Sequence, residues 1–275
     1  MALLPQFFLD CVVAIEKEDY DGRRALSASG FLYGVRMAEG DEAGYRVFLI
    51  TNRHVLDGLA EVHLRLNPHQ NKSAQELPLP LLDETQTPTW TAHPDRGVDV
   101  AAVPINFALL QRSDLQVSFF ENDKAAITVE RMRQLGVCEG DFAYVLGFPL
   151  GLGGGHRNAV VVRSGIVARL RDLLDGQNDQ FLLDAFVFPG NSGGPVVLKP
   201  EVMAIEGTDA PSSAYLIGVV RSYVPYQDVA VSQQSGRPRV IFEENSGLAA
   251  IHPVDAIEAT VRAHLARAGG AERAE

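Results

Sequence analysis

The most informative stretch of the sequence is Pro189-Gly190-Asn191-Ser192-Gly193-Gly194-Pro195, which runs directly into the apolar residues Val196-Val197-Leu198. A serine that attacks an acyl group needs an exposed hydroxyl beside two backbone N–H groups that can bind the developing oxyanion. Gly190, two residues before Ser192, allows the backbone to turn so that both N–H groups point the same way. The same letters also fit a glycine-rich hairpin turn, because Gly-Asn is a common turn pair. The motif therefore needs support from elsewhere in the chain.

A histidine in a suitable position follows the apolar run Phe48-Leu49-Ile50. His54 stands at the end of this predicted strand, where a rigid scaffold could hold a catalytic base. We therefore take His54 as the candidate general base. The other histidines have no comparable setting and are interpreted as ordinary surface or core residues: His63, His69, His93, His156, His252 and His264.

An aspartate, Asp99, interrupts the apolar run 98–103. Burying a carboxylate is costly unless it is paired and hydrogen-bonded, and the N–H of a histidine is one group that could satisfy Asp99. The run also fits an aspartate that caps a turn at the edge of a strand. Asp95 is the rival candidate, but its Pro-Asp-Arg-Gly context is typical of a turn that faces solvent.

The rest of the chain is dominated by short apolar runs that are rich in β-branched residues and separated by Gly, Pro, Asn and Asp. This pattern predicts an all-β sandwich or barrel rather than alternating strands and helices. Two stretches are predicted to be helical. One covers residues 123–135, and the other covers Pro253–Ala268, where Ile257, Val261 and Leu265 form one apolar stripe.

The composition excludes several classes of function. The chain has 275 residues, of which 46% are hydrophobic and 21% charged, as in an ordinary globular protein. The net charge of −11 argues against nucleic acid or an acidic membrane surface as a partner. The two cysteines, Cys11 and Cys138, are interpreted as buried free thiols of a reducing compartment. Since we find neither a signal peptide nor an apolar run of membrane-spanning length, we predict a cytoplasmic protein.

Together these motifs resemble those of the trypsin/chymotrypsin clan of serine proteases, and more closely its bacterial HtrA-like, cysteine-poor branch. The order His54, Asp99, Ser192 is that of the clan, and the spacings are close to those of the family. Further stretches resemble the strands of the family. They are Ser29-Gly30-Phe31-Leu32-Tyr33-Gly34, residues 146–151, residues 163–167, residues 184–185, Ile217-Gly218-Val219-Val220 and residues 244–248. The resemblance spans about residues 8–260.

The resemblance implies an all-β fold made of two six-stranded antiparallel β-barrels, with the active site in the cleft between them. It predicts a first barrel over residues 6–120, which carries His54 and Asp99, and a connection over residues 121–135. A second barrel over residues 136–253 would carry Ser192, and residues 254–275 would form a C-terminal helix and tail.

The resemblance also implies the activity of a serine endopeptidase that forms an acyl-enzyme intermediate on a polypeptide substrate. Ser192 would attack the scissile carbonyl, His54 would take and later return the proton, and Asp99 would orient the histidine. The N–H groups of Gly190 and Ser192 would form the oxyanion hole. Neither a metal nor another cofactor is implied.

The sequence departs from the family in two ways that bear on regulation. Asn191 stands before the serine, where digestive members have an aspartate that pairs with a newly cut N-terminus, so we do not expect that kind of activation. HtrA-like proteases usually carry a C-terminal PDZ domain, and the sequence after Ile251 has room for one helix only. Control of activity is therefore expected from loops or from a separate regulatory protein.

Substrate specificity depends on residues around the primary pocket. Phe186 lies six residues before the serine, at the position that forms the base of this pocket in the family. Arg221 and Tyr223 would form another wall. Because no acidic residue is found at the base, we expect an apolar P1 residue rather than Lys or Arg.

Two alternatives remain open at this point. A catalytically silent two-barrel pseudoprotease would bind peptides or proteins without cleaving them. A serine esterase of another fold is disfavoured by the strand-rich pattern and by the order of the motifs. The sequence leaves the oligomeric state open.

Overall fold

The computed structural model describes residues 4–18, 21–37, 44–70, 72–200 and 213–271, with no side-chain description for residues 269–271. The strands in these ranges are β1 (Val12–Glu18), β2 (Arg24–Arg36), β3 (Tyr45–Thr51), β4 (Glu61–Leu66), β5 (Gln75–Pro80), β6 (Thr91–Ala92), β7 (Ala101–Ile105), β8 (Phe120–Glu121), β9 (Phe142–Gly147), β10 (Val161–Arg169), β11 (Phe181–Asp184), β12 (Pro195–Leu198), β13 (Tyr215–Val231) and β14 (Pro238–Pro253). The helices are α1 (Gln6–Asp10), α2 (Arg53–Leu56), α3 (Phe107–Arg112), α4 (Val129–Gln134), α5 (Arg171–Leu174) and α6 (Val254–Ala271). The fold is therefore mostly β, as predicted.

The N-terminal strands form one curved sheet in the order β5-β4-β1-β2-β3-β7-β6, and β8 pairs in parallel with β2. Residues 28–34 of β2 and residues 47–51 of β3 are buried on both faces, which explains their continuous apolar sequence. Phe31 and Phe48 face one buried cluster, whereas Leu32 and Leu49 face another. Alternate residues of a strand point to opposite faces, so one apolar run fills two cores.

This sheet is open in the described residues, because no ladder joins its edge strands β5 and β6. Pro78 and Pro80 lie in β5 and lack the N–H that a further ladder needs. Closure of the first predicted barrel, over residues 6–120, is therefore not confirmed. The N-terminal unit is an eight-stranded half-barrel sheet.

The C-terminal strands form a closed, antiparallel six-stranded barrel in the order β10-β11-β14-β13-β12-β9. Its interior is filled by inward-facing apolar residues, among them Val145, Phe181, Val196 and Ile251. This unit is the barrel that the sequence predicted for the second half of the chain.

A third buried cluster joins the two units. It contains Phe31 and Phe48 from the N-terminal sheet, Phe148 and Val219 from the barrel side, and Ile257 from α6. The predicted apolar stripe of α6 therefore packs against the place where sheet and barrel meet. None of the helices in the described ranges is long and apolar enough to cross a membrane.

The predicted connecting helix over residues 123–135 is shorter than expected, since α4 covers only Val129–Gln134. Thr128 caps its N-terminus by accepting a hydrogen bond from the N–H of Arg131. Before it, residues 122–125 form a turn, and residues 126–127 are extended because Ala125 and Ile127 form backbone hydrogen bonds with Leu216 of β13. Pairing with the barrel edge thus overrides the helical propensity of the first half.

Strands β13 and β14 extend far beyond the apolar stretches at 215–222 and 248–251, from which the sequence predicts short strands. Residues 224–245 extend their ladder beyond the barrel as a two-stranded arm, which turns where the N–H of Ser232 donates to the carbonyl of Arg237. The arm exposes Tyr226, Ile241 and Phe242. These apolar side chains are not packed in a core. The sequence of the arm therefore lacks the apolar pattern from which a buried strand is predicted. Most of the stretch from Leu198 to Ala214, which by its length is an insertion relative to the family and could reshape the primary pocket, lies outside the described residues.

Candidate active site

The loop that carries Ser192 requires its glycines. Gly190 has φ of 99° and Gly193 has φ of 80°, which is the left-handed region that favours glycine. Close packing adds a second reason, because a Cβ atom on Gly190 would lie 2.3 Å from the carbonyl oxygen of Phe148. The glycines on both sides of Ser192 are thus needed for the turn itself, as the motif indicated.

Two backbone hydrogen bonds orient the peptides beside Ser192. The N–H of Leu150 donates to the carbonyl of Pro189 at 2.7 Å, and the N–H of Gly194 donates to the carbonyl of Asn191 at 2.9 Å. In a trans peptide the following N–H points away from the carbonyl. The N–H groups of Gly190 and Ser192 accordingly make no hydrogen bond within the described ranges. They are free donors, which is what an oxyanion site requires.

The side chain of Asn191 supports the same turn from inside. It is fully buried, and its Oδ1 accepts a hydrogen bond from the N–H of Phe188 at 3.0 Å. This contact needs no charged partner. Asn191 is therefore a structural part of the turn.

His54 and Asp99 form a close pair. His54 lies in the one-turn helix α2 directly after β3, and its Nδ1 atom is 2.5 Å from Oδ2 of Asp99. The backbone N–H of His54 donates to Oδ1 of the same carboxylate at 3.1 Å. Because the carboxylate is the acceptor, the ring proton belongs on Nδ1, and Nε2 keeps its lone pair. That is the tautomer that a general base needs.

The charge state of Asp99 follows from this pair. Burial by itself would raise the pKa of Asp99, but the hydrogen bond and the charge of His54 hold that pKa below its usual value. Asp99 is thus an ionised acceptor at neutral pH. The rival Asp95 is exposed and accepts from the N–H of Gly97 at 2.8 Å in its own turn. The structure therefore pairs His54 with Asp99.

The main chain of Asp99 is held by two further side chains. Its N–H donates to Nε2 of His252 at 3.1 Å, and its carbonyl accepts from Nδ2 of Asn52 at 2.7 Å. Both side chains are fully buried. His252 lies at the end of β14, so the C-terminal barrel contacts Asp99 directly.

Ser29 connects the N-terminal sheet to the loop that carries Ser192. It is fully buried on β2. Its hydroxyl donates to the carbonyl of Gly190 at 2.6 Å and accepts from the N–H of Phe148 at 2.9 Å. Its N–H donates to the carbonyl of Ser192 at 3.0 Å. One residue of the first unit thus binds three backbone groups of the second.

Ser192 is brought to the side of the first unit that carries His54, but the two side chains are not joined. A Cβ atom on Gly193 would lie 2.2 Å from Oγ1 of Thr51, which is three residues before His54. The Ser192 hydroxyl makes no hydrogen bond with His54 in the part of the chain that is described. Catalytic hydrogen bonds of this kind are often long before substrate binds. The three-residue triad stays a prediction.

The comparison with known families agrees with this arrangement. Residues 28–202 match the family described as the trypsin-like peptidase domain. The chain belongs to the trypsin-like peptidase family. No curated protein matches the chain in a sequence search. The peptidase match contains Ser29, His54, Asp99 and Ser192 but ends before β13, so His252 lies outside it.

Each of the residues predicted to form the primary pocket makes a different contact. Phe186 is half exposed, and its ring stacks on Phe188 with centroids 6.4 Å apart and faces Gly247. Arg221 donates to Oε1 of Gln180 at 3.1 Å, whereas the hydroxyl of Tyr223 donates to Oε1 of Glu243 at 2.7 Å. Their assignment to a specificity pocket stays a prediction. No cluster of potential metal ligands occurs among the residues described.

Sequence reasoning missed Ser29 and His252 as parts of the candidate site. Both interrupt apolar runs, at 28–35 and 248–254. That is the same signal that singled out Asp99, and it could have found them. His252 was instead interpreted as an ordinary core residue, because its partner lies 153 positions away in the sequence.

Proposed function

We propose that the chain is a serine endopeptidase in which Ser192 is the nucleophile, His54 the general base and Asp99 the group that orients the base. The observation that carries this proposal is the 2.5 Å contact between Nδ1 of His54 and Oδ2 of Asp99. The two unpaired N–H groups beside Ser192 support it, because such a pair has no structural use in the loop.

The reaction begins when a scissile carbonyl enters beside Ser192. Oγ of Ser192 attacks the carbonyl carbon while Nε2 of His54 takes the hydroxyl proton. The oxyanion is received by the N–H groups of Gly190 and Ser192, and one donor of this kind contributes roughly 10²–10³ in kcat. The carbon–nitrogen bond then breaks, and His54 returns the proton to the leaving amine.

Hydrolysis of the acyl-enzyme follows the same steps with water as the nucleophile. His54 takes a proton from the water as its oxygen attacks the acyl carbon, and the new oxyanion uses the same two N–H groups. The ester bond to Oγ of Ser192 then breaks, and His54 returns the proton to that oxygen. Asp99 stays ionised throughout and stabilises the imidazolium that forms. The low pKa of Asp99 suits this role, since a protonated carboxyl could not do so.

The substrate would lie in a cleft between the N-terminal sheet, which supplies His54 and Asp99, and the barrel, which supplies Ser192. Phe186 would form the base of an apolar P1 pocket, with Arg221 and Tyr223 on another wall. Proteolysis in the cytoplasm, under control of loops or of a separate regulatory protein, is the corresponding biological role.

A fluorophosphonate probe tests the nucleophile directly. Intact and peptide mass spectrometry of the labelled full chain should place the phosphonyl group on Ser192. A peptide library should be cleaved by the wild type, and Ser192→Ala should lower kcat by on the order of 10⁶. Ser27→Ala on the exposed end of β2 is the matched control and should be labelled normally. Label on another serine would refute the assignment, and peptide binding without label or cleavage would favour the pseudoprotease.

A further inference from the structure

His252 is a buried titratable residue that the proposed mechanism does not use. It pairs with Val219 of β13 near the end of β14, and its side chain is fully buried. Its Nε2 atom accepts the backbone N–H of Asp99 at 3.1 Å, across the boundary between barrel and sheet. Burying a histidine ring in a core is unfavourable unless its ring nitrogens form hydrogen bonds.

The geometry requires a particular form of this ring. Because an N–H points at Nε2, that nitrogen must carry a lone pair, so the ring is neutral and its proton is on Nδ1. Nδ1 makes no hydrogen bond of normal geometry among the described residues, although the backbone of Asp179 lies close enough to favour a proton on the ring. A second proton would convert Nε2 into a donor facing another donor, and the contact with Asp99 would be lost.

The surroundings of His252 favour the neutral ring. Burial is the main cause that lowers the pKa of His252, and the positive charge of Arg221 on β13 lowers it further. The charge and backbone of Asp179, which precedes β11, and the charge of Asp99 oppose this shift. The net effect keeps the ring neutral at physiological pH, so the acceptor is present when the site would work.

The contact completes the support of Asp99. The carboxylate is fixed by His54, and the backbone carbonyl is fixed by Asn52. His252 fixes the remaining polar group, the backbone N–H. Without it, the peptide before Asp99 could rotate, and the carboxylate would move with it relative to His54.

We propose that His252 is a positioning residue for Asp99, and that its protonation releases Asp99 and adds a second ionisation to the acid limb of the pH profile. This inference rests on the proposed peptidase function. Activity of the wild type requires both rings to be unprotonated, His54 as the base and His252 as the acceptor for the N–H of Asp99. The acid limb is therefore steeper than a single ionisation would make it.

Three variants separate positioning from packing. His252→Gln keeps an acceptor oxygen at similar reach but cannot titrate. His252→Leu fills the space and removes the acceptor. His69→Gln, on the exposed surface, is the matched control. The readouts are kcat and KM on a cleaved peptide, and the rate of fluorophosphonate labelling, from about pH 8 to pH 4.

We expect His252→Gln to keep kcat within about threefold of wild type at neutral pH and to lose one proton from the acid limb. His252→Leu should lower kcat by about tenfold to a hundredfold with KM unchanged, as small displacements of a catalytic group do. If His252→Leu does not fold, the pH profile of His252→Gln by itself tests whether His252 positions Asp99. A wild-type acid limb identical to that of His252→Gln, or full kcat in His252→Leu, would overturn the inference.

A readout without activity keeps this inference separable from the proposed function. In ¹⁵N NMR of the full chain, Nε2 of His252 should give the signal of an unprotonated nitrogen at neutral pH. A protonated Nε2 would overturn the inference even in an active peptidase. An unprotonated Nε2 in a chain that neither cleaves nor labels would refute the proposed function and leave the contact with Asp99 standing.

Discussion

The hydroxyl of Ser29 donates a 2.6 Å hydrogen bond to the carbonyl oxygen of Gly190. Ser29 lies in the N-terminal sheet, and Gly190 lies in the loop of the C-terminal barrel that carries Ser192. The same hydroxyl accepts from the N–H of Phe148 at 2.9 Å. One buried side chain thus holds the nucleophile loop against the unit that carries His54, and its removal has measurable consequences.

Replacing Ser29 by Ala should destabilise the protein and slow labelling of Ser192. The change leaves the carbonyl of Gly190 and the N–H of Phe148 buried without partners, which costs about 1–3 kcal/mol of unfolding free energy. Urea denaturation measures this loss, and the fluorophosphonate rate measures the loop. Ser27→Ala on the same strand is the control, because its hydroxyl makes only a 3.3 Å contact with the carbonyl of Ile15. If the two substitutions had equal effects, Ser29 would not hold the loop that carries Ser192.

Replacing Asp99 by Asn should lower kcat by on the order of 10⁴, because an amide no longer holds the Nδ1–H tautomer of His54. Asp95→Asn is the matched control in the same loop and should stay near wild type, since the carboxylate of Asp95 accepts from Gly97 in its own turn and an amide oxygen can accept the same bond. Steady-state kinetics of both variants provide the measurement. If Asp95→Asn lowered kcat strongly and Asp99→Asn did not, Asp95 rather than Asp99 would be the partner of His54.

As the pH falls, the wild type should lose unfolding free energy more steeply than the Asp99→Asn variant does. The pKa of Asp99 is lowered in the folded protein, so the unfolded chain, with a carboxyl pKa of about 3.9, binds a proton first as the pH falls. The stability from this carboxylate is therefore complete above the unfolded pKa and is lost as the pH falls through the folded one. Thermal unfolding from about pH 6 to pH 2 tests this. Parallel curves for wild type and variant would show that Asp99 does not contribute.

Replacing Phe186 by Asp should shift the cleavage preference from apolar P1 residues toward Lys and Arg. The half-exposed ring of Phe186 faces Gly247, and a carboxylate there would repel apolar side chains and pair with basic ones. We expect a change of about tenfold or more in the ratio of kcat/KM values, on the scale of one buried contact. Phe142→Asp, at a similarly exposed phenylalanine on β9, should keep the wild-type profile. An unchanged profile for Phe186→Asp would place the pocket elsewhere.

Features that depend on neighbours in the chain could be predicted well. The turn around Ser192 needs Gly190 and Gly193, and both adopt the positive φ that only glycine reaches easily. The apolar stripe of α6 predicted a helix with one buried face, and Ile257 and Val261 are buried there. The continuous apolar runs of β2 and β3 predicted strands, and the period of a strand explains why alternate residues of one run fill two cores.

Features that depend on competition between local and distant partners were predicted less well. Residues 123–127 have helical propensity, but only residues 122–125 make a turn, and the chain is then extended at 126–127, because the barrel edge offers Leu216 as a hydrogen-bond partner. The C-terminal part of β13 and the N-terminal part of β14 are exposed beyond the barrel. Their sequence therefore lacks the pattern of buried residues that would have predicted the arm. Closure of the first sheet depends on whether β5 meets β6, which no local pattern specifies.

The sequence alone determined which residues could do acyl chemistry, because the residue types, their order and the glycines are local properties. The tertiary structure decided which of them meet. It paired His54 with Asp99 rather than with Asp95, placed His252 behind Asp99 and set Ser29 against Gly190. Ser29 and Gly190 are 161 positions apart, and Asp99 and His252 are 153 apart. Contacts at such separations are set by how the sheet and the barrel pack together, and periodicity along the chain carries no information about that packing.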